Sequence, residues 1–474
     1  MPAVVTSSSK MKSCGKRVMN KLFLFLLFVL LLPSCSEYQT YTPAPIDIEQ
    51  TTREYRTLDI KSSEVRNWLE ESDQDVSVWP KAQWDVESLV LVGQHLNVDL
   101  EAAKAKIKVA EAGEITAGQK LNPKLEVSTE HHSDQFDGVS PWTFGTIFSW
   151  VYQRPEKRQI RIDYAKAVTE VARLKEFEIK WQIRDRIMDN YLDTMAAIRK
   201  KEMLLVERET VQDALDLLER SLELGQVSDF EINSTRLEMQ RLMLALSKIN
   251  TDQIRARTQL ALATSLQANG LDDVDLDNRY FAQLPDLNSI DLELDLLQVR
   301  ALVERPDVLG VLSEYVVAEA GLHREIQNQY PDIKLSPGFI FDQDDNLWTL
   351  AGAWALPINA INEGPIAEAE ARRKVKAQEF LSFQKLVLGQ VHETRIRYRS
   401  ALETLHEADA LIRDLEDRDV KIQKQYDLGY TDRLTVIRNR LEILMAQRSR
   451  FLLELNAWRE FAGMEDAAMR RLTN

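Results

Sequence analysis

Residues 142–152, Trp-Thr-Phe-Gly-Thr-Ile-Phe-Ser-Trp-Val-Tyr, decide the fold. Trp142, Phe144, Phe148, Trp150 and Tyr152 share one parity, and Thr143, Gly145, Ser149 and Val151 the other. Successive side chains of a strand point to opposite faces, so this period of two places bulky aromatics on one face and small residues on the other. That is the pattern of a membrane β-barrel strand with its aromatics toward lipid, at a length that spans a bilayer when tilted. Residues 347–356 repeat it, with Trp348, Leu350, Trp354 and Leu356 alternating with Thr349, Ala351, Ala353 and Ala355. Each has a strand partner upstream. Leu125, Val127 and Thr129 alternate with Lys124, Glu126 and Ser128, and Ile333, Leu335, Phe339 and Phe341 with Lys334, Ser336 and Gly338. The connecting loops, His131 to Ser140 and Asp342 to Asn346, are polar and expected to face outward.

The duplication extends over most of the chain. Asn97-Val98-Asp99, Ala110-Glu111-Ala112-Gly113 and Asn122-Pro123 are answered by Arg305-Pro306-Asp307, Ala318-Glu319-Ala320-Gly321 and Tyr330-Pro331, so that Asp99 and Asp307, or Pro123 and Pro331, lie 208 apart. Leu224-Gly225 and Leu428-Gly429 follow at an offset of 204. Blocks recurring at nearly one offset mark a duplicated unit. Each unit reads as a helix of medium length (about 97–121 and 304–329), two strands, and a very long helical hairpin.

The hairpins follow from missing breakers. Residues 156–224 hold no Gly or Pro, and neither do residues 226–269, so Gly225 alone punctuates the first hairpin, and Gly429 is the matching turn of the second. Ile232, Met239 and Leu246 beside Leu242 and Ile249, and Ile437, Leu444, Phe451 and Trp458 beside Leu441 and Leu455, fall at the heptad spacing of coiled-coil seams. At 1.5 Å per residue the first outgoing arm extends roughly 100 Å, a length suited to crossing a wide aqueous gap.

Four strands cannot close a barrel, because single-chain examples start at about eight strands and open edges are not tolerated in lipid. Closure needs several chains: two give a side-chain-filled barrel, three give 12 strands and room for a conduit.

The 474-residue chain carries 60 Lys+Arg against 75 Asp+Glu, an acidic balance that argues against nucleic acid as partner. Its only cysteines are Cys14 and Cys35, so its body has no disulfide framework or thiol chemistry. Lys10, Lys12, Lys16, Arg17 and Lys21 precede the apolar run Leu22 to Leu32, too short to span a bilayer, which reads as a signal peptide over 1–34. Met11 and Met19 offer shorter starts. Leu32-Pro33-Ser34-Cys35 resembles a bacterial lipobox, with Cys35 as the acylated first mature residue and Ser36 favouring the outer membrane by resemblance to bacterial sorting rules. Cleavage leaves 55 basic against 75 acidic residues, a net charge of −20.

Taken in order, these features resemble one family, the TolC-like outer membrane efflux channels. The likeness rests on the duplication, the Pro-led strand pairs, the helix start Gly-Pro-Ile-Ala-Glu-Ala-Glu-Ala at 364–371 and the turns at Gly225 and Gly429. It implies a mostly α fold in which long coiled-coil hairpins form a periplasmic α-barrel, and four strands per chain contribute to a trimeric 12-stranded transmembrane β-barrel. It also implies a lipidated tail and equatorial segment over 35–96, repeats over 97–267 and 304–463, an equatorial linker over 268–303 and a tail over 464–474. The homotrimer would be a passive conduit in outer membrane lipid, without cofactor or metal, serving efflux or type I secretion with a periplasmic adaptor and an inner-membrane pump. The pump would decide among drugs, metal ions and proteins as substrate. At the periplasmic gate the resemblance matches Tyr426, while the family's two acidic positions fall on Thr435 and Arg438. Arg438 is expected to place a basic ring there, and Asp427 and Asp432 to contribute acidity or adaptor contact.

Two other readings compete. An enzyme lacks a site: GEITAGQK at 113–120 lacks the Gly-Lys-Ser/Thr of a phosphate loop, His392-Glu393 lacks a second His because Ile396 stands there, and His131-His132 reads as a surface pair. A structural or adaptor coiled-coil lipoprotein is the other, but an adaptor usually carries one hairpin, and this chain carries two besides its four membrane-like strands.

Overall fold

The computed structural model describes residues 40–133, 138–277, 284–285 and 294–472. The signal segment and Cys35 lie outside the described residues. The chain divides into a sheet unit, built mainly from Gln119–Arg158 and Gln327–Ile361, and a helical unit of Glu49–Gly118, Gln159–Ile326 and Asn362–Asn474.

The sheet is antiparallel in the order β1 (Lys124–His131), β2 (Trp142–Tyr152), β3 (Ile333–Asp342) and β4 (Asp345–Trp354). Gln343 and Asp344 close the second hairpin with φ of 46° and 75°, the two positive values a tight primed turn needs to match strand twist. This turn starts β4 two residues earlier than the alternation alone indicates, and Leu356, read as a strand residue, falls beyond its end. His131, read as loop, pairs with Trp142 at the end of β1. Pro337 has no N–H to donate. The β2–β3 register accordingly runs from Thr143↔Asp342 to Ile147↔Gly338 and resumes only at Trp150↔Leu335. The Ser149 and Ser336 hydroxyls, 2.9 Å apart, join the strands across that gap.

In the helical unit, α1 (Ile48–Thr57), α2 (Ser63–Glu71) and α3 (Val86–Leu96) precede α4 (Val98–Gly118), and the hairpin arms are α5 (Pro155–Glu223) and α6 (Asp229–Ala263). Then come α7 (Leu294–Glu304), α8 (Pro306–Gln327) and the second pair of arms, α9 (Glu363–Asp427) and α10 (Arg433–Ala468). The duplication is exact for α4 and α8, which start at 98 and 306, and for α5 and α9, which start at 155 and 363. Both hairpins turn through the same cap. Gly225 N–H donates to the Leu222 carbonyl and Gln226 N–H to that of Ser221; Gly429 donates to Tyr426 and Tyr430 to Gln425. The φ values of +70° and +80° at the two glycines are those such a cap requires.

Two apolar clusters hold the helices. The smaller joins Leu204 and Val211 of α5, Leu242, Leu246 and Ile249 of α6, and Ile437 and Leu441 of α10, so the heptad rows of both return arms meet in one seam. The larger gathers Trp84, Leu89, Tyr191, Leu260, Val391, Tyr398 and Phe461 around the segments that precede and separate the repeats. Trp84 N–H donates to the Asp275 carbonyl at 2.8 Å, and Asp277 N–H returns a bond to Trp84 at 2.9 Å. Two fully buried tyrosines do the same work in the two repeats: Tyr191 donates its hydroxyl to the Asp277 carbonyl and Tyr398 to that of Pro285.

Candidate membrane face and hairpin tips

Residues paired directly across a ladder share a face. On one face lie Leu125, Val127 and Thr129 of β1, all five aromatics of β2, Ile333, Leu335, Phe339 and Phe341 of β3, and Trp348, Leu350 and Trp354 of β4. The other face carries Lys124, Glu126, Ser128 and Glu130, then Thr143, Gly145 and Ser149, then Lys334, Ser336, Gly338 and Asp342, then Thr349, Ala351, Ala353 and Asp345. The alternation has exceptions: His131, Thr146 and Asn346 sit on the aromatic face, and Ile147, Val151, Ile340 and Leu347 on the polar one. The aromatic face is open. Trp348 is 83% exposed and Leu350 76%, and Trp142, Phe148, Trp150, Tyr152 and Trp354 are exposed too, with Phe144 half-buried.

The polar face is knit by short bonds, such as that from the Thr143 hydroxyl to Asp342 Oδ1 at 2.5 Å. Small residues are needed where its strands crowd: a Cβ at Gly338 would meet Thr349 Oγ1 at 2.7 Å and the Thr146 carbonyl oxygen at 3.3 Å. Among the described residues β1 pairs only with β2 and β4 only with β3, which leaves both outer edges with unpaired backbone groups. A sheet with an apolar exposed face, a polar face and two open edges suits a solvent that is lipid on one side and water on the other, once its edges are paired. No described helix is long and apolar enough to cross a membrane. Among the described residues no group of three His, Cys, Asp or Glu side chains is placed to hold a metal.

The residues assigned to the gate gather at the tip of the second hairpin. Tyr426 supplies the carbonyl that accepts the Gly429 N–H. Asp427, the last residue of α9, accepts from Gln423 Nε2 at 3.2 Å. Asp432 caps α10, its Oδ1 accepting the Thr435 N–H at 2.8 Å and the Thr435 hydroxyl at 2.5 Å. These bonds, the hydroxyl's first, hold the Asp432 carboxyl below its ordinary range. Arg438 lies 3.5 Å from Glu231 at the start of α6, so its charge faces a carboxylate of the first hairpin. Both side chains are well exposed, and a pair of this kind is worth about 0–1 kcal/mol.

Sequence reasoning missed the ion pairs that tie the hairpins together. Arg448 meets Glu207 at 2.7 Å, Arg459 meets Asp193 at 2.5 Å, and Arg184 meets Glu465 at 2.7 Å with both side chains nearly inaccessible. Each joins α5 to α10. The last is 281 residues apart along the chain, and the one available signal is a charged Glu465 amid Ala457, Trp458, Phe461, Ala462, Met464 and Ala467.

Known structures share this architecture. The chain is similar to the outer-membrane channel OprN, with 16% identity and a TM-score of 0.65 over 92% of this chain and 99% of that one. The outer membrane protein VceC of Vibrio cholerae is 15% identical, with a TM-score of 0.66 over 86% and 99% of the two chains. The CmeC outer membrane channel of Campylobacter jejuni is 14% identical, at 0.62 over 91% and 94%. No family model and no curated relative matches the sequence. The fold is therefore the one the resemblance implies, long helical hairpins with four strands per chain.

Proposed function

We propose that this chain is one of three copies of an outer-membrane channel that serves as a passive conduit from periplasm to exterior in an efflux or type I secretion system. The observation that carries the reading is the two-faced, open-edged sheet on a fold shared with outer-membrane channels. Three such sheets make 12 strands, enough for an aqueous bore, and edge pairing between copies would satisfy the backbone groups that lipid cannot. The aromatics Trp142, Phe144, Phe148, Trp150, Tyr152, Trp348 and Trp354 would face lipid, and an acyl chain on Cys35 would anchor the tail. The turns at Gly225 and Gly429 would receive a periplasmic adaptor joined to an inner-membrane pump. Opening would separate the inner hairpin tip, where Tyr426, Asp427, Asp432, Thr435 and Arg438 cluster, by sliding of packed helices. Ion selectivity of Arg438→Glu against the parent tests a role for that charge at the mouth.

The deciding measurement is the detergent-corrected mass of protein extracted from outer membranes. Three chains per particle are expected. A monomer, or recovery in the soluble fraction once the lipid anchor is removed, overturns the channel in favour of a lipid-anchored coiled-coil protein.

A further inference from the structure

The last row of the sheet is Tyr152↔Ile333↔Trp354, three side chains in register on the exposed apolar face. Immediately past it the chain sets a cation. Arg154 follows Tyr152 by two residues, and its guanidinium lies 4.4 Å from the centroid of the Tyr330 ring. With Pro331 these residues line an open pocket of about 370 Å³ at the strand ends. The nearby charges differ sharply in their partners. Lys157 is largely buried and held by Asp332 at 2.9 Å, whereas among the described residues no carboxylate lies within ion-pair distance of the exposed Arg154. An acidic chain thus leaves a guanidinium without an anion at the rim of an apolar, aromatic pocket.

We propose that this pocket binds a phospholipid, its phosphate on the Arg154 guanidinium and its acyl chains along Tyr152, Ile333 and Trp354. The ligand must answer two unmet demands together. A soluble phosphate pairs with Arg154 but leaves three large apolar side chains against water, and a bare hydrocarbon covers those but leaves the cation unpaired. A phospholipid meets both. The guanidinium fork matches phosphate oxygens bidentately, and its position over Tyr330 holds it ready without a competing carboxylate. Tyr and Trp rings with a polar end suit the headgroup level, and the long Arg stem lets the charge reach it.

The inference rests on the sheet lying in a membrane, as proposed above, and the test separates the two. Full-length protein is extracted from membranes, stripped of lipid in detergent, and titrated with phosphatidylglycerol under native mass spectrometry. One saturable lipid per chain is expected, with Arg154→Gln weakening it about ten-fold and Arg154→Lys by less. Trp354→Ala is expected to weaken it as well, with the particle mass unchanged in all variants. Equal lipid affinity in the parent and Arg154→Gln, with both still membrane-extracted particles of the same mass, overturns the lipid site alone. Displacement of the lipid by millimolar inorganic phosphate also overturns it, in favour of a free-anion site. A parent recovered without a detergent belt overturns both the site and the membrane reading.

Discussion

Two side chains deep in the helical unit show what each residue contributes there. Glu465 is 1% exposed; its Oε2 accepts from Arg184 Nη2 and its Oε1 from the Leu472 N–H at 2.9 Å. Removing one partner strands a buried charge, so Glu465→Ala is expected to cost about 3–5 kcal/mol of stability, and Arg184→Met with Glu465→Leu markedly less. Thermal unfolding of the two variants checks the order. Next to Arg184 in the chain, Asp185 behaves differently. Burial, and then the charges of Asp466 and Asp189, push its carboxyl up to about 7, against the pull of Arg184, and Trp181 Nε1 holds Asp466 at 2.9 Å. Between the ordinary value of 3.8 and about 7 the folded chain keeps a proton that the unfolded chain has lost. Stability from this group is therefore fully present below about pH 4 and is lost as pH rises through 7. Asp185→Asn should raise the unfolding free energy at pH 8 by on the order of 2 kcal/mol, with the gain vanishing toward pH 4. A gain independent of pH would show that packing, not ionisation, is responsible. Neither site was legible in the sequence, because Glu465 and Asp466 come to this stretch from a helix 281 residues further along the chain and no local periodicity encodes that meeting.

Elements were far more legible, since their signals are local. Period-two alternation gave the faces of all four strands, the lack of Gly and Pro gave the first pair of hairpin arms, and the repeat gave the second. What alternation could not give was the positive-φ turn at Gln343-Asp344 that sets where β4 begins and ends. Facing is directly testable at the middle of β4, where Leu350 opposes Pro337 on the aromatic face and Ala351 opposes Ser336 on the polar one. Leu350→Lys is expected to cost about 2–4 kcal/mol in the membrane and Ala351→Lys less than about 1 kcal/mol, read as the yield of assembled particle. Equal yields would mean that the two faces meet the same solvent. At the second hairpin tip, Asp432→Ala removes the cap of α10 and should cost about 1 kcal/mol locally. Faster amide exchange around residues 432–436 with an unchanged global unfolding midpoint is the expected result. Exchange unchanged at those amides would show that the adjacent Gly429 turn alone holds the tip.

For the whole molecule the proposed membrane setting demands closure, because four strands have two edges and lipid tolerates none. The copy number and the contents of the bore are linked by the same parity. If the aromatic face meets lipid, the other face lines the conduit, and there Lys124 and Lys334 stand against Glu126, Glu130, Asp342 and Asp345. Each copy would then bring two surplus carboxylates to the wall of the proposed conduit, consistent in sign with a chain of net charge −15. Fixed charge of one sign along a pore concentrates the opposite ion. If the parent forms the proposed channel, in a planar bilayer under a potassium chloride gradient it should therefore give a reversal potential of cation-selective sign. Glu126→Lys with Glu130→Lys converts the surplus to two positive charges per copy and should carry that potential toward anions. Both sites lie on the edge strand's polar face, opposite Ile147 and Thr143, so the particle mass should not change. A reversal potential that keeps its sign and size in the double variant would mean that this face does not line the conduit, and the assignment of inside and outside would have to be reversed.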